Sequence, residues 1–386
     1  MHKFVSPVTL WFGEGSIQIL IDECKRFAAK KVILFADPGV IQAGLAARVE
    51  EVLQSGGIEY SVYDQIVPEP PLAVADQAVQ AVRASGADMV VAIGGGSALD
   101  LAKAAATVAE NEGSIPDYLN LTGTRKLARK GLPKILIPTT SGTGSEVTDI
   151  AVFSLETTKD VITNPYLLAD AAIVDPELTC SLPPRATAAT GMDAFTHAVE
   201  AYISVNATTL TDSLALEAVK LISGNLRTAV WHGTNREARK NMAWGSVIAG
   251  MAFYNAGVSG VHALAYPIGG LFHVSHGESN SVLLPYVFDF IWPSCMEKVA
   301  RIGQAMGVCT PRMTVREAAL ATIQGMRDLV ADVGLPSTLD AYGIGEGDLD
   351  LLANDAIKQT RLLARSPKPY RVEDIRRIYR NALSGN

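Results

Sequence analysis

Met89-Val90-Val91-Ala92-Ile93-Gly94-Gly95-Gly96-Ser97 sets an apolar run before three glycines and a serine, and a helix-period segment follows to about Ala109. A short apolar run bounded by turn residues suits a strand buried on both faces of a sheet. The same order recurs upstream. Val32-Ile33-Leu34-Phe35-Ala36 leads through Asp37-Pro38-Gly39 into an amphipathic stretch from about Gln42 to Leu53. Tyr60-Ser61-Val62-Tyr63 leads through Val67-Pro68-Glu69-Pro70-Pro71 into a helix ending near Ala84, and Ile135-Leu136-Ile137 reads as a fourth buried strand. Strands alternating with helices predict a parallel sheet with right-handed crossovers.

After Ile173-Val174-Asp175-Pro176 the β-branched runs give way to helix-period segments at about 186–204, 211–223, 236–255, 297–306, 315–333 and 346–358. Leu182-Pro183-Pro184 marks the change. The expectation is an α/β domain over 1–184 and an all-helical domain over 185–386, each long enough for its own core. The net charge of −7, with both signs interspersed and no Lys/Arg run, argues against nucleic acid or an anionic membrane as partner and leaves small molecules. No stretch approaches the roughly 18 uninterrupted apolar residues of a membrane span, and the first twenty residues lack the pattern of a secretion signal. Cys24, Cys180, Cys295 and Cys309 form no metal-type pair and read as reduced thiols, so a soluble cytoplasmic protein is expected.

The turn Gly94-Gly95-Gly96-Ser97 opens a helix, where backbone N–H groups and the helix dipole can hold a pyrophosphate. Its spacing is not the Rossmann fingerprint, and an ordinary tight turn is the plain alternative. Pro138-Thr139-Thr140-Ser141-Gly142-Thr143-Gly144-Ser145-Glu146 packs hydroxyls around two glycines after the fourth strand and offers donors to phosphate or ribose oxygens, unless it is only a polar surface turn. Asp37, ending the first clear strand, could accept from both hydroxyls of an adenosine ribose and repel a 2′-phosphate, or simply begin an Asp-Pro-Gly turn.

Of the six histidines, four fall in three compact segments. In Gly191-Met192-Asp193-Ala194-Phe195-Thr196-His197-Ala198-Val199-Glu200 the Asp and His are four apart in a helical context and share one face, fit either to chelate an ion together or to form a hydrogen-bonded core pair. His262, in Gly260-Val261-His262-Ala263-Leu264-Ala265-Tyr266-Pro267, and the loop His273-Val274-Ser275-His276 supply histidines from two more elements. Either loop histidine could serve, and His276 is the choice. One carboxylate and three imidazoles, with a position left for a substrate oxygen, suit divalent iron or zinc better than magnesium. Tyr266, four residues after His262, would lie beside the ion on a regular helix, although Pro267 biases it away from helical geometry. Its hydroxyl would pass a substrate proton, or its ring would only wall the pocket. Met251, Phe253, Leu264 and Phe272 make the surroundings mainly apolar, which favours a small alcohol of little charge.

These segments, in this order and across nearly the whole chain, resemble the iron-containing (group III) metal-dependent alcohol dehydrogenase family. The resemblance implies a Rossmann-like dinucleotide-binding α/β domain and a helical metal-binding domain with the active site between them, the two-domain plan also found in dehydroquinate synthase. It implies interconversion of an alcohol and an aldehyde or ketone with NAD rather than NADP, a divalent metal with Fe2+ ahead of Zn2+, and a homodimer or larger homo-oligomer. The family's metal ligands fall on Asp193, His197, His262 and His276, and its cofactor contacts on Asp37, Gly94, Gly95, Thr139, Thr140, Lys159 and Leu178. Gly96 and Ser97 join that set as part of the glycine turn, and His262 and Tyr266 are the catalytic candidates. Two departures stand out: many members have Asn in the loop where this chain has Val67-Pro68-Glu69-Pro70, and many have a second histidine at Tyr266. The alternative is an NAD- and metal-dependent lyase or cyclase resembling dehydroquinate synthase, which would need a dense Lys/Arg cluster.

Overall fold

The computed structural model describes residues 3–7, 9–155 and 159–385. The chain divides into two compact units, Ser6–Leu182 and Pro183–Asn386, with the residues up to Val5 belonging to the second. The expected boundary at 184/185 is thus two residues late. The expectation also put the first five residues in the wrong unit: Val5 exchanges two hydrogen bonds with the Asn255 amide, donating its N–H to Oδ1 at 2.7 Å and accepting from Nδ2 at 2.9 Å. A segment joined to the second unit through Val5 and one distant amide leaves no periodic trace in sequence.

The first unit runs β1 (Leu10–Phe12), α1 (Leu20–Arg26), β2 (Lys31–Ala36), α2 (Pro38–Gln42), α3 (Leu45–Ser55), β3 (Glu59–Tyr63), α4 (Leu72–Ser85), β4 (Met89–Gly94), α5 (Gly96–Val108), β5 (Lys134–Pro138), β6 (Ile150–Ser154), β7 (Lys159–Thr163) and β8 (Ala171–Val174). Six strands form a parallel sheet in the order β1-β8-β5-β4-β2-β3, and β6 and β7 make a separate antiparallel pair. The apolar runs are continuous because both faces are covered. Ile33, Phe35, Val90, Ala92 and Leu136 pack on one side with α4 and α5, while Val32, Leu34, Val91, Ile93, Ile135 and Ile137 pack on the other with α3. Alternate residues of one strand therefore feed two cores, and burying each large side chain stabilises the fold by about 1.5–3 kcal/mol.

The chain leaves β2 for β3 on one side, then returns to β4 on the other, which creates a topological switch point between β2 and β4. Register pairs Ala36 with Ile93 and Gly94 with Pro138, so the carboxyl ends of β2, β4 and β5 lie side by side. The helix expected over about 42–53 is α3, which begins at Leu45, and the short α2 before it was not expected. Asp37 caps α2 by accepting the Val40 N–H at 3.0 Å, and Gly44, at φ 73°, turns the chain before α3 begins. The short β1 and β8 and the β6–β7 pair were not legible as strands.

The second unit comprises α6 (Pro184–Ile203), α7 (Thr209–Trp231), α8 (Arg236–Ala256), α9 (Gly260–Phe272), α10 (His276–Ile291), α11 (Met296–Met306), α12 (Val315–Asp332), α13 (Leu349–Ala356), α14 (Thr360–Leu363) and α15 (Val372–Ser384). Four of these, α6, α8, α11 and α12, match expected segments closely, and α7 runs eight residues beyond the expected 211–223. The segment at 346–358 is a short 3-10 turn followed by α13, and α9, α10, α14 and α15 were not read as helices. Pro267 and Pro285 lie inside α9 and α10, where proline is expected to end a helix. Packing overrides that cost: α9 is buried almost throughout, and Tyr379 on α15 donates its hydroxyl to the Leu264 carbonyl at 2.7 Å, beside the bond that Pro267 cannot make. Among the described residues no single helix is long and apolar enough to cross a membrane.

Candidate metal centre and cofactor turn

In the helical unit α6, α9 and α10 pack on one another and each brings side chains to one point. Asp193 and His197 lie one turn apart on the buried face of α6, His262 sits in the first turn of α9, and His276 is the first residue of α10. Gly277 lets α10 come this close, because a Cβ there would stand 2.2 Å from the Ala189 carbonyl oxygen of α6. One ligand atom from each of Asp193, His197, His262 and His276 lies within 4.8 Å of all the others. Asp193 Oδ1 is 3.9, 3.8 and 3.6 Å from Nε2 of His197, His262 and His276. Bonds of about 2.0–2.2 Å to one tetrahedral ion would set neighbouring ligand atoms roughly 3.4 Å apart, so the cluster fits a single ion after small adjustments. His273 is excluded: it is exposed and caps α9 in the left-handed region at φ 54°.

The surroundings prepare these ligands. His262 donates Nδ1–H to Glu200 Oε2 at 2.7 Å, which turns the Nε2 lone pair toward the cluster. Glu200 is fixed in turn by the Ser259 hydroxyl at 3.0 Å and the Val261 N–H at 2.7 Å. Burial would raise the Glu200 carboxyl, but His262 and these donors hold it below its usual value. Asp193 is likewise penalised by burial, yet the three histidines and Asn280 keep it ionised and below the usual range. Asn280 points Nδ2 at Asp193 Oδ1, 2.8 Å away, and at Nε2 of His262 and His276, each 3.2 Å away, while its own buried Oδ1 has no partner. Phe253 stacks on His197 with ring centroids 4.2 Å apart. Glu200 and Asn280 were given no role from sequence. Their spacing was a usable signal, Glu200 three after His197 and Asn280 four after His276 on the same helices. The helix through Pro267 keeps Tyr266 near the cluster, its ring centroid 6.0 Å from that of His276. Burial raises its phenol further above 10, so it is a neutral donor.

In the α/β unit the glycine turn and the 138–146 loop are built against each other. The Thr139 N–H donates to the Gly94 carbonyl at 2.9 Å. A Cβ on Gly96 would stand 2.6 Å from Thr143 Cγ2, and one on Gly94 would stand 2.7 Å from the Ala98 Cβ, so both positions demand glycine. Asp37 reaches this turn, with Oδ1 capping α2 and Oδ2 3.1 Å from where a Gly94 Cβ would be. Thr140 touches the same place at Gly95. Beneath it, fully buried Lys103 pairs with Asp100 at 3.0 Å and donates to the Ser145 carbonyl at 2.9 Å, while Asp100 accepts from the Ser145 hydroxyl and the Val152 N–H. Ser97 is partly committed, its hydroxyl accepting the Glu69 N–H at 3.0 Å. Lys159 is buried and paired with Glu69 at 2.8 Å, so the departure at Glu69 engages an expected cofactor contact directly. Leu178 is fully buried in the core beneath the sheet and presents no surface to a ligand, a packing residue where a cofactor contact was expected.

Comparison with known proteins extends both halves. The family model described as iron-containing alcohol dehydrogenase matches residues 7–176, and that of the C-terminal part of the same family matches 187–383. A long-chain-alcohol dehydrogenase of Geobacillus thermodenitrificans is 54% identical over 383 residues, 99% of this chain and 97% of that one. The crystal structure of a 1,3-propanediol oxidoreductase superposes with a TM-score of 0.94 at 36% identity, covering 99% and 100% of the two chains. That of a sulfoacetaldehyde reductase from Bifidobacterium kashiwanohense in complex with NAD+ gives 0.90 at 29% identity with full coverage of both. Nothing among these relatives supports the cyclase alternative. With its four-ligand cluster and its glycine turn at the switch point, the chain belongs to the iron-containing alcohol dehydrogenase family and is an alcohol dehydrogenase.

Proposed function

We propose that the enzyme interconverts an alcohol and its aldehyde or ketone with NAD, using one divalent ion held by Asp193, His197, His262 and His276. The observation that carries this reading is the convergence of those four ligand atoms within 4.8 Å of one another. In the oxidising direction the carbinol carbon loses a hydride to NAD+ and the hydroxyl loses a proton, so that carbonyl, NADH and H+ balance the equation. When bound, the ion supplies a Lewis acid and the nicotinamide a hydride acceptor.

The chain's own residues do the rest. Glu200 fixes the tautomer and orientation of His262, Asp193 supplies the one anionic ligand, and Phe253 covers a face of the His197 ring. Tyr266 Oη has no hydrogen-bond partner among the described residues, which leaves its neutral hydroxyl free to take up the substrate proton only as it releases its own outward, so that the phenol is neutral before and after. On the other unit, the Gly94-Gly95-Gly96-Ser97 turn at the start of α5 would hold the pyrophosphate, with Thr139 and Thr140 beside it. Asp37, with Oδ2 uncommitted at the switch point, would hold the adenosine ribose and disfavour a 2′-phosphate, hence NAD over NADP. Lys159 would act with Glu69 rather than as a free cation. Iron is the proposed metal from the family's description, with a donor set that zinc also suits. The NAD+ complex of the Bifidobacterium relative supports the cofactor. A reducing cytoplasm and a homo-oligomer are proposed from the free thiols and the family resemblance.

The test is turnover by metal-loaded protein, read as NADH absorbance with an alcohol panel before and after chelation, beside elemental analysis. About one ion per chain and loss of turnover on chelation are expected. Full turnover without metal would refute the reading. Tyr266→Phe should leave metal content intact and slow turnover about 10²-fold, the scale of general acid–base help.

A further inference from the structure

Glu69 holds two residues at once in the α/β unit. Its backbone N–H donates to Ser97 Oγ in the first turn of α5, 3.0 Å away, and its carboxylate Oε1 lies 2.8 Å from Nζ of Lys159. The segment that carries it is stitched to β6: the Pro70 carbonyl accepts the Ser154 N–H at 3.1 Å, and Pro71 bridges to Ser154. Glu69 itself stands at φ 50°, in the left-handed region that disfavours a residue with a Cβ and persists only where the surroundings over-determine it. The Lys159 side chain is 5% exposed, and among the described residues no other carboxylate pairs with it. Buried Oε1 meets that ammonium as a charge alone, outside hydrogen-bond geometry.

A buried ammonium needs a counter-charge, and a purely structural pair would supply one. That explains the pairing but not its place. The residue that neutralises Lys159 also sits on Ser97, at a helix N-terminus opened by glycines that leave room for no Cβ, where an anion's oxygens are favoured. A diphosphate brought there offers Lys159 what Glu69 now offers it, an anionic oxygen. Ser97 is no obstacle, because the hydroxyl that accepts from Glu69 keeps its own proton to donate. We propose that Glu69 is a built-in competitor for the cofactor's phosphates: it holds Lys159 until a phosphate oxygen takes its place, and so sets how tightly the enzyme keeps the dinucleotide. This rests on the NAD reading above and deepens it. Removing the charge tightens such a site rather than breaking it.

Fluorescence titration of the metal-loaded full chain with NADH, and calorimetric titration with ADP-ribose, which has the diphosphate but no nicotinamide, test it without turnover. Glu69→Gln keeps the shape of the side chain and removes its charge. Both ligands are expected to bind the variant about tenfold more tightly, the scale of one charge-assisted hydrogen bond. The gain should shrink with salt and vanish when Lys159→Met is combined with it. Glu69→Gly, which relieves the positive φ, should tighten binding likewise and serves where the Gln variant does not fold. Melting curves separate competitor from structural pair: ADP-ribose should raise the melting temperature of Glu69→Gln more than that of the unaltered protein, because phosphate restores a counter-charge to Lys159. Equal rises with equal affinities, beside normal alcohol turnover, would overturn the competitor and leave the dehydrogenase standing. Weaker binding by the variants would overturn it too, and would make Glu69 an acceptor from the cofactor's own hydroxyls. No binding of NADH or ADP-ribose to any of these proteins would sink the competitor and the cofactor reading together.

Discussion

The α/β unit makes its candidate site from backbone, and the helical unit makes its own from side chains. Around Gly94, Gly95 and Gly96 what matters is space, since two of these positions leave no room for a Cβ. Around Asp193, His197, His262 and His276 what matters is the identity and aim of buried polar atoms, each held by a neighbour such as Glu200 or Asn280. A backbone site tolerates changes of charge and fails by crowding. A side-chain site tolerates little change of charge and fails by the loss of one donor.

The sharpest way to break this comparison is Asp193→Asn, which keeps the shape and removes the only anionic ligand. Loss of bound metal and turnover reduced about 10³-fold or more are expected, since a Lewis acid contributes several kcal/mol to the transition state. Elemental analysis after dialysis, beside initial rates, reads both. Retained metal with normal turnover would show that the side-chain site is not the centre of the chemistry.

The α/β unit is not free of buried charge, and Glu146 measures how much that matters. Burial pushes its carboxyl up to about 7, against its own backbone N–H and Lys103, with Asp100 adding to the rise. A folded value above the usual one near 4.5 means that the neutral acid contributes stability that is complete below about pH 4.5 and lost as pH rises through about 7. Glu146→Gln should remove that dependence, so between pH 5 and 7.5 the unaltered protein should lose up to about 3 kcal/mol relative to the variant. Urea midpoints at the two pH values decide it; parallel curves would place Glu146 in water rather than in the core.

Glu200→Gln separates holding a ligand from being one. Metal affinity should fall about 10- to 100-fold, the usual cost of losing the group that orients a ligating histidine. A competition titration against a chromogenic chelator reads it without reference to activity. Unchanged affinity would mean that packing alone orients His262.

Smallest is the pair at the glycine turn. Gly96→Ala forces a Cβ to 2.6 Å from Thr143 and should destabilise by about 1–3 kcal/mol, whereas Gly95→Ala meets Thr140 at 3.4 Å and should cost less than about 1 kcal/mol. Melting curves of the two variants, with metal content unchanged in both, would confirm a site limited by space. Equal effects would mean that the loop simply moves aside.

The sequence by itself pointed to the parallel sheet, the glycine turn, the division near Leu182 and the four residues that cluster as candidate metal ligands. The first three follow from patterns that repeat every two or 3.6 residues and from turn residues that only glycine or proline supplies. The cluster was legible because Asp193 and His197 share one helical face, and because few histidines competed for the remaining places. What lay outside those local periods only the tertiary structure decided. Pro267 read as a bias away from helical geometry, yet α9 runs through it, as α10 runs through Pro285, because buried contacts outweigh one missing hydrogen bond each. The choice between His273 and His276 depended on a left-handed cap, and the work of Glu200 and Asn280 on helices packed from distant segments. Asp37, Gly94 and Thr139 became neighbours only through strand order. Sequence periodicity reports which face of an element is buried; it carries no term for which other element buries it, and that pairing is what assembles these sites.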